Sequence, residues 1–425
     1  MRFSTKIFVC IPLFLIALPC SAYLDPGSGN ALVALLVSLS GAIVFFFKTV
    51  FYKVKKCLRG ESSEIQENVH ISGISLFSEG KNYWLTYKPI VEELTRREIP
   101  FNYYTVDMED PALTIDHPLM ESKFLGEGQA GLTRLQGIRA KILLTTTPNI
   151  GTNGFPLKRP KNVTKLVHIW HSVCDTSFYH KGALDHYDVA LTVADWVEDN
   201  IRIIEKARNL KKKEVLAVGL PYFDELLKKV KTEKVTLQKS NKKVVLIAPS
   251  WGNKNCLKLY GTDFVSELIS LGYKIIIRPH PQSLKVEQGF LSVLKDKFSD
   301  SSVEFDFDVD GARSLNRSDL LISDNSSIRF DFAFLYKKPV MTLKIPPASL
   351  ESYEAIYLPK LWEEEITQKI GICLTLKEKD RIAEFVEKAL QLNTEVIENI
   401  GRESISYLGQ SSIRIVDWIE KVSKN

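Results

Sequence analysis

Apolar runs typical of β-strands alternate with amphipathic stretches typical of helices along most of the chain after residue 68. In the first part of the chain, the strand-like runs are at 69–77, 101–106, 141–145, 164–170, 189–193 and 214–218. Helical periodicity marks 82–97 and 194–208. Strands that alternate with helices of about 10 to 15 residues indicate parallel βαβ units. The pattern therefore predicts a Rossmann-like domain over residues 61–240.

A lysine-rich connection at 228–243 interrupts this alternation, which then restarts. Further strand-like runs are at 244–248, 274–277, 319–322, 339–343 and 372–376, and helical patterns are at 262–271, 326–335 and 377–392. We predict a second Rossmann-like domain over 241–403, which faces the first across a cleft. A last helix at about 404–422 would be free to pack back over the first domain, and residues 404–425 are assigned to this crossing helix. The predicted fold class is α/β.

The first 60 residues have a different pattern, with two long apolar stretches. The stretch at 7–22 follows a basic start, contains two prolines and ends in small residues. It suits either a signal peptide cleaved after Ala22 or a short first span. The stretch at 31–52 has Lys48 as its only charge, and at about 1.5 Å per residue it crosses a bilayer core of about 30 Å. We predict that it is a transmembrane helix; the alternative is a buried core helix.

Basic residues indicate how this helix is oriented. They cluster at its far end, as Lys48, Lys53, Lys55, Lys56 and Arg59, whereas the loop at 23–30 carries only Asp25. The excess of Lys and Arg on cytoplasmic loops places everything after residue 60 on the cytoplasmic side of the inner membrane, whether or not the first segment is cleaved.

Length and composition exclude several classes of protein. The chain has 425 residues, 45% of them hydrophobic, and a net charge of only +5, so it can form two cored domains and is not a typical nucleic-acid-binding protein. The six cysteines, Cys10, Cys20, Cys57, Cys174, Cys256 and Cys373, show no zinc-type spacing. They are expected to be reduced, mostly buried thiols.

Five short polar motifs each follow a predicted strand, the position at which open α/β sheets bind ligands. In chain order they are His168-Ile-Trp-His171, Gly219-Leu-Pro-Tyr-Phe-Asp224, Ala248-Pro-Ser-Trp251, Arg278-Pro-His-Pro281 and Ser323-Asp-Asn-Ser-Ser327. Five such motifs in series suggest one site.

The histidine motif suggests a general base. His171 lies just past a strand, so its ring can project into the cleft, and with an ordinary pKa near 6.5 it can take a proton from a hydroxyl nucleophile. The alternative is a hydrogen-bonded histidine in a turn. His168, within the strand, is expected to pack or to orient its neighbours.

The next motifs suggest anion binding. The prolines beside Arg278 and His280 stiffen a strand exit, so that both side chains can present donors to a diphosphate. Asp324 and its neighbours suit a helix N-cap, but the N–H groups of that first turn and the hydroxyls of Ser326 and Ser327 could also hold phosphate oxygens without a metal. For both motifs, the alternative is a purely structural role.

Other sequence signatures of ligand binding are incomplete or absent. Asp306, Asp308 and Asp310 resemble the start of a calcium loop, but Arg317 occupies the position that requires a glutamate. We therefore predict no structural calcium there. The chain also lacks the glycine-rich fingerprints of P-loop ATPases and dehydrogenases.

Together the motifs resemble those of the CDP-glycerol glycerophosphotransferase family, which builds teichoic-acid-type poly(glycerol phosphate) and poly(ribitol phosphate) chains. The family pattern is Trp-His-Gly-Thr, Gly-x-Pro-Arg-x-Asp, Ala-Pro-Thr-Trp-Arg, Arg-Pro-His-Pro and Asp-Tyr-Ser-Ser, and the match runs from about 160 to 345. The departures are Tyr222 and Gly252, which occupy positions where the family usually has arginines, and a loop after His171 without the family's Gly-Thr.

The resemblance implies a GT-B fold, a catalytic role for His171 and His280, and no metal or other cofactor. It also implies donor binding by the residues of the later motifs, namely Pro249, Ser250, Arg278, Asp324, Ser326 and Ser327. The function expected is a membrane-anchored transferase that moves a polyol phosphate from CDP-glycerol, or a related CDP-polyol, to a hydroxyl of a membrane-linked saccharide or surface polymer.

Two other readings remain open at this stage. One is a GT-B glycosyltransferase that uses a sugar nucleotide, and the other is a non-catalytic protein that keeps the fold. The partners expected are the nucleotide donor, the membrane-linked acceptor and the lipid bilayer, with no nucleic acid.

Overall fold

Two parallel β-sheets form the framework of the chain. The computed structural model describes residues 73–233, 242–299, 303–308, 311–346 and 349–424. The predicted signal and transmembrane segments therefore lie outside the described residues. None of the helices in the described ranges is long and apolar enough to cross a bilayer.

The first sheet has seven strands in the order β3-β2-β1-β4-β5-β6-β7. The strands are β1 (Ile74–Ser78), β2 (Phe101–Thr105), β3 (Met120–Phe124), β4 (Arg139–Thr145), β5 (Asn162–Ile169), β6 (Val189–Thr192) and β7 (Glu214–Ala217). Every residue of β1 and β2 is buried, because helices cover both faces of the sheet. These helices include α1 (Trp84–Arg96), α2 (Gly128–Gln136), α3 (Trp196–Ala207) and α4 (Pro221–Glu233).

The second sheet has six strands in the order β10-β9-β8-β11-β12-β13. The strands are β8 (Val244–Ala248), β9 (Lys274–Ile277), β10 (Val303–Phe305), β11 (Leu320–Ser323), β12 (Val340–Leu343) and β13 (Gly371–Leu374). The following helices are α5 (Cys256–Tyr260), α6 (Asp263–Ser270), α7 (Ser283–Val286), α8 (Gln288–Lys297), α9 (Ala312–Arg317), α10 (Ile328–Tyr336), α11 (Trp362–Lys369), α12 (Ile382–Leu390), α13 (Thr394–Ser404) and α14 (Ser411–Lys424). Short 3₁₀ turns occupy Lys81–Tyr83, Pro111–Thr114, Leu350–Ser352, Glu354–Tyr357 and Leu376–Arg381.

The observed elements confirm the predicted α/β class with two parallel sheets, and the differences lie at the edges. Strand β3, at one end of the first sheet, was not predicted, because an edge strand buries little of its surface: β3 alternates between buried or half-buried and exposed positions. The predicted start of the connection at residue 228 was wrong, since α4 extends to Glu233. The predicted last helix at about 404–422 is α14, which begins later, at Ser411, and a further helix, α13, precedes it.

Both sheets and their helices share buried apolar surface, and we call the parts of the chain that carry them the first and second lobes. One core cluster includes Trp170 and Phe223 from the first lobe together with Phe330 and Phe334 from the second. The three described cysteines, Cys174, Cys256 and Cys373, are free thiols as expected, but only Cys256 is buried and the other two are half-buried. The remaining three cysteines lie outside the described residues.

Helix α14 returns from the second lobe to pack on α1 and β7 of the first. Arg97 forms ion pairs with Asp417 and Glu420, both at 2.7 Å, and the indole N–H of Trp418 donates to Glu214 at 2.7 Å. The buried face of α14 includes Ile415, Val416 and Ile419. The last helix thus covers the first sheet.

The second polar motif positions this helix. The buried carboxylate of Asp224 accepts hydrogen bonds from the backbone N–H groups of Gly409, Ser411 and Ser412 and from the Ser411 hydroxyl, at 2.8–3.3 Å. Gly219 has φ 88°, and a Cβ there would lie 2.4 Å from the carbonyl oxygen of Ser406. The motif therefore joins the first lobe to the start of α14.

We predict that Asp224→Ala lowers the free energy of unfolding by about 2 to 3 kcal/mol, because it leaves several buried N–H groups at the start of α14 without their charged acceptor. Urea denaturation measures the change. The control is Asp417→Ala, which removes a half-exposed ion pair on the same helix and should cost less than about 1 kcal/mol. Equal losses in the two variants would show that Asp224 is not the anchor.

Candidate functional site

Polar side chains meet at the carboxyl ends of the central strands in both sheets. In the first sheet, Glu79, Thr147 and His171 follow β1, β4 and β5, which are neighbours. In the second sheet, the predicted residues that follow β9, β8 and β11 are also on neighbouring strands. Each set borders the point at which strand order reverses, where doubly wound sheets bind ligands.

His171 is half-buried at the start of the loop that follows β5. Its ring packs edge-on against Tyr83, with ring centroids 5.1 Å apart. Its Nδ1 atom is buried and has no hydrogen-bond partner among the described residues. Burial lowers the pKa of His171 to about 4, so the ring is neutral near pH 7. The pKa of His171 is therefore lower than the ordinary value near 6.5 that we expected from the sequence.

His168 is fully buried and packs against aromatic rings, as predicted. Its Nε2 lies 2.9 Å from the hydroxyl of Tyr179, and its ring makes edge contacts with Trp170, Tyr179 and Tyr187. Burial, with a smaller effect from His171, lowers the pKa of His168 to about 3. This side chain supports the loop that carries His171.

Arg278 is buried at the end of β9 and is held by a carboxylate. Its guanidinium donates to Asp306 at 2.8 Å, and Gly311, with φ 61°, lies so close that a Cβ there would be 2.5 Å from the guanidinium carbon. Burial acts to raise the pKa of Asp306, but bonds from Ser314 and the Asp308 N–H, with the charge of Arg278, keep it below its usual value. The Asp306 motif therefore positions Arg278.

His280 is half-buried, and its tautomer follows from its backbone contact. The N–H of Gln282 donates to its Nδ1 at 3.1 Å, so the proton of the neutral ring is on Nε2. Burial lowers the pKa of His280, against the opposing charges of Asp324 and Glu287. His280 thus presents one N–H donor at neutral pH.

Asp324 joins the ends of β11 and β8. One carboxylate oxygen accepts from the Ser250 N–H at 2.9 Å and the other from the Cys256 N–H at 2.8 Å. The residue is fully buried. In this structure it holds the loop of Pro249 and Ser250 against the turn of Ser326 and Ser327; its direct contact with a donor stays a prediction.

The turn before α10 offers backbone donors. Ser327 is the residue before the helix, and no side chain caps this end. Ser326 is half-buried, Ser327 is exposed, and the helix dipole favours a negative charge at this position. The geometry suits an anion bound by N–H groups and hydroxyls.

A buried arginine lies behind this turn. The Nε of Arg329 donates to the carbonyl oxygen of Ser326 at 3.0 Å, and the remaining nitrogens donate to Thr367 at 2.9 Å and to Glu363 at 2.6 Å. Burial lowers the pKa of Arg329 and raises that of Glu363, while their mutual attraction opposes both shifts. Arg329 fixes the orientation of the Ser326 peptide.

The same element connects to the His171 loop. Asp175 accepts a bond from the backbone N–H of Trp362, next to Glu363, and this contact opposes the rise of its pKa caused by burial. Trp362 stacks on Trp196 of the first lobe, with centroids 4.5 Å apart and planes within 8°. His171 and the Ser326 turn are thus joined through Asp175, Trp362 and Arg329, although no direct bond links them among the described contacts.

The two positions where the family usually has arginines have different surroundings. The hydroxyl of Tyr222 donates to Asp331 of α10 at 3.2 Å, and burial raises the pKa of Asp331 to about 7. Gly252 has φ 97°, and a side chain there would point into open space. Tyr222 thus makes a contact between the lobes, whereas Gly252 forms an open turn.

The described residues contain no group of three or more metal-ligating side chains. The expectation that the reaction uses neither metal nor other cofactor stays a prediction.

Sequence reasoning missed Glu79, Asp175 and Arg329. Glu79 follows β1 as the other site residues follow their strands, and this position could have indicated it. Arg329 sits inside an apolar helix pattern, where a charged residue needs a buried partner. Its partners Glu363 and Thr367 are more than thirty residues away, so no local pattern pointed to them.

Solved structures with the same arrangement establish the class of fold. The wall teichoic acid polymerase TagF matches with a TM-score of 0.53 and 16% identity over 90% of this chain and 98% of that chain. The same polymerase soaked with CDPG gives 0.53 and 17% over the same shares. The UDP-GlcNAc 2-epimerase of Methanocaldococcus jannaschii gives 0.55 and 13%, over 82% and 99%. The fold is GT-B-like.

The family comparison narrows this class. Residues 154–354 match the model described as CDP-glycerol:poly(glycerophosphate) glycerophosphotransferase, which confirms the resemblance identified from the motifs. This segment contains all the predicted site residues. The family that this segment matches is one of transferases. No curated protein matches the chain significantly.

We predict that Arg329→Met lowers the free energy of unfolding by about 3 to 5 kcal/mol, because Glu363 is left buried without its cation. The double variant Arg329→Met, Glu363→Met should recover most of this loss, since it removes both charges. Thermal or urea unfolding measures both. Arg402→Met, which removes an exposed ion pair with Glu398, is the control and should cost less than about 1 kcal/mol. A double variant as unstable as the single one would contradict the pairing.

Proposed function

We propose that the protein transfers glycerol phosphate, or a related polyol phosphate, from a CDP-activated donor to an acceptor hydroxyl. The observation that carries this proposal is the family match over residues 154–354, which spans His171 and the polar ends of β8, β9 and β11. The acceptor hydroxyl attacks the β-phosphorus of CDP-glycerol, the bond to the CMP phosphate breaks, and CMP departs.

In this proposal His171 takes the proton of the attacking hydroxyl. Its ring is neutral at cytoplasmic pH because burial lowers its pKa to about 4, so the base is in its active form without prior deprotonation. A base weaker than free imidazole provides less driving force for proton removal, so contact with the acceptor hydroxyl and its developing charge must supply part of it.

In this proposal the second lobe stabilises the charge that develops on the phosphate of the departing CMP. Arg278 supplies a fixed cation, His280 an Nε2–H donor, and the turn of Ser326 and Ser327 supplies hydroxyls and backbone N–H groups. Such preorganised donors are effective because they need not reorient as the bond breaks. Asp324 holds the loop of Pro249 and Ser250 in place.

The acceptor in this proposal is a membrane-linked saccharide or growing surface polymer. It is supported by the apolar stretch at 31–52 and the basic residues that follow it, which suit an anchor in the inner membrane with the transferase on the cytoplasmic side. A tether of this kind raises the local concentration of a lipid-held acceptor.

We expect His171→Ala in the full-length protein to reduce CMP release from CDP-glycerol by about 100-fold to 10,000-fold, the usual contribution of a general base. His186→Ala, at an exposed position in the same lobe, is the control and should retain activity. A donor panel with UDP-, GDP- and CMP-sugars tests the glycosyltransferase reading at the same time. Unchanged turnover in His171→Ala would reject the role of the base, and sugar transfer would reject the donor.

The pH dependence should follow the low pKa of His171. Protonated His171 cannot act as a base. If His171 governs the acid limb, kcat/KM should therefore be constant from about pH 8 to pH 5 and should fall only near pH 4. Initial rates of CMP release across this range measure the profile. An acid limb centred near pH 6.5 would show that the base is a histidine with an ordinary pKa.

A further inference from the structure

We propose that Glu79, Tyr83 and Thr147 form a binding site for the hydroxyl-bearing end of the acceptor, beside His171. The inference rests on the proposed function for the nature of the ligand, since it takes the acceptor to be a polyol. It rests on the structure for the location and chemistry of the site.

The location is the reversal point of the first sheet. Glu79 directly follows β1 and Thr147 follows β4, and these two strands are hydrogen-bonded neighbours, with Phe77 opposite Thr145. His171 follows β5, the next strand in the sheet. The three side chains therefore leave adjacent strands at the edge where such sheets bind ligands.

The turn that carries Glu79 is held rigidly. The Ser78 hydroxyl and Gly80 bond each other at 3.0 and 3.1 Å, and the N–H of Lys81 donates to Asp107 at 3.0 Å. Gly80 has φ 136°, and a Cβ there would lie 2.4 Å from the Cβ of Asp107. A binding residue on such a turn is preorganised.

Glu79 is half-buried and has neutral hydrogen-bond partners. Burial, the largest effect, raises the pKa of Glu79, while the hydroxyls of Thr147 and Tyr83 beside its carboxylate act to lower it. Burial and the charge of Glu79 raise the pKa of Tyr83 to about 12. The ion pairs of the described residues include none with Glu79. Its oxygens thus retain capacity to accept further hydroxyl donors.

Tyr83 connects this carboxylate to the proposed base. Its hydroxyl donates to Glu79, and its ring packs edge-on against His171 at 5.1 Å. The ring of Tyr83 would therefore lie between a hydroxyl group bound at Glu79 and the imidazole of His171. The backbone of Thr147 is also fixed, since its N–H donates to the Thr145 hydroxyl at 3.1 Å and its carbonyl accepts from Tyr187.

The charge of the site selects its ligand. A half-buried carboxylate, with hydroxyl partners and no cation, binds hydroxyl groups and repels phosphate. The acceptor should therefore enter with an uncharged polyol end towards Glu79, and an acceptor whose terminal hydroxyls are phosphorylated should bind poorly.

The test is direct binding to the full-length protein in detergent. The probes are a synthetic glycerol phosphate oligomer with a free glycerol end and the same oligomer with that end phosphorylated. Isothermal titration measures both on wild type, Glu79→Gln and Glu79→Ala, and CDP-glycerol binding is measured in parallel. Glu109→Gln removes a carboxylate from an exposed pair with Lys81 and is the matched control.

We expect Glu79→Ala to weaken binding of the free-ended oligomer by about tenfold or more, as for loss of a bond to a charged group, with CDP-glycerol binding unchanged. Glu79→Gln should narrow the preference for the free end over the phosphorylated end. Tyr83→Phe should give a smaller loss in the same direction. Thermal unfolding checks that each variant is folded.

Three results would overturn the subsite: no binding of the free-ended oligomer by wild type, equal binding by wild type and both Glu79 variants, or loss of CDP-glycerol binding in Glu79→Gln as large as that of the oligomer. Failure of the proposed function has a different signature, because it appears as absence of CMP release by the wild-type protein. Oligomer binding that depends on Glu79 supports the subsite whichever donor is used.

Discussion

The candidate site depends on a buried chain of contacts that joins the loop after β5 to the turn before α10. Asp175 accepts the N–H of Trp362, Glu363 pairs with Arg329 at 2.6 Å, and Arg329 donates to the carbonyl of Ser326 at 3.0 Å. A guanidinium this buried persists only because a carboxylate, a hydroxyl and a carbonyl satisfy it. Since these contacts cross from one lobe to the other, they set the position of His171 relative to the turn of Ser326 and Ser327.

The parallel arrangement of both sheets explains why a small number of residues is enough to form the candidate site. All strands of a parallel sheet end at the same edge, so the residues that follow neighbouring strands converge without any designed loop. In the second sheet, Ser250 and Asp324 are a hydrogen bond apart although seventy-four positions separate them. In the first sheet, Glu79 and Thr147 meet in the same way. Covering helices bury the other parts of the strands, which leaves this edge as the place where polar groups can remain accessible.

A feature of the structure could be predicted from the sequence when the residues that determine it are close together in the chain. Strands β8 and β9 have the predicted bounds because they are buried apolar runs, and the site residues after them follow from their position. The edge strand β3 was missed because its pattern is mostly polar. The role of Asp224 was also missed: its partners are about 185 residues away, and the local motif resembled a ligand turn. Burial, likewise, could not be read from the residue type, so His171 was given an ordinary pKa.

The departures from the family pattern change how an anion would be held. Tyr222 gives Asp331 a neutral partner where the family usually has an arginine, and the φ of 97° at Gly252 is a conformation that an arginine rarely adopts. The arginines of the later motif and the turn, Arg278 and Arg329, are each paired with a carboxylate. Each carboxylate offsets part of the charge of its guanidinium, so the proposed diphosphate site also relies on oriented dipoles: the Nε2–H of His280 and the first turn of α10. Because dipoles act over short distances, such a site favours an anion whose shape matches it over anions that do not fit.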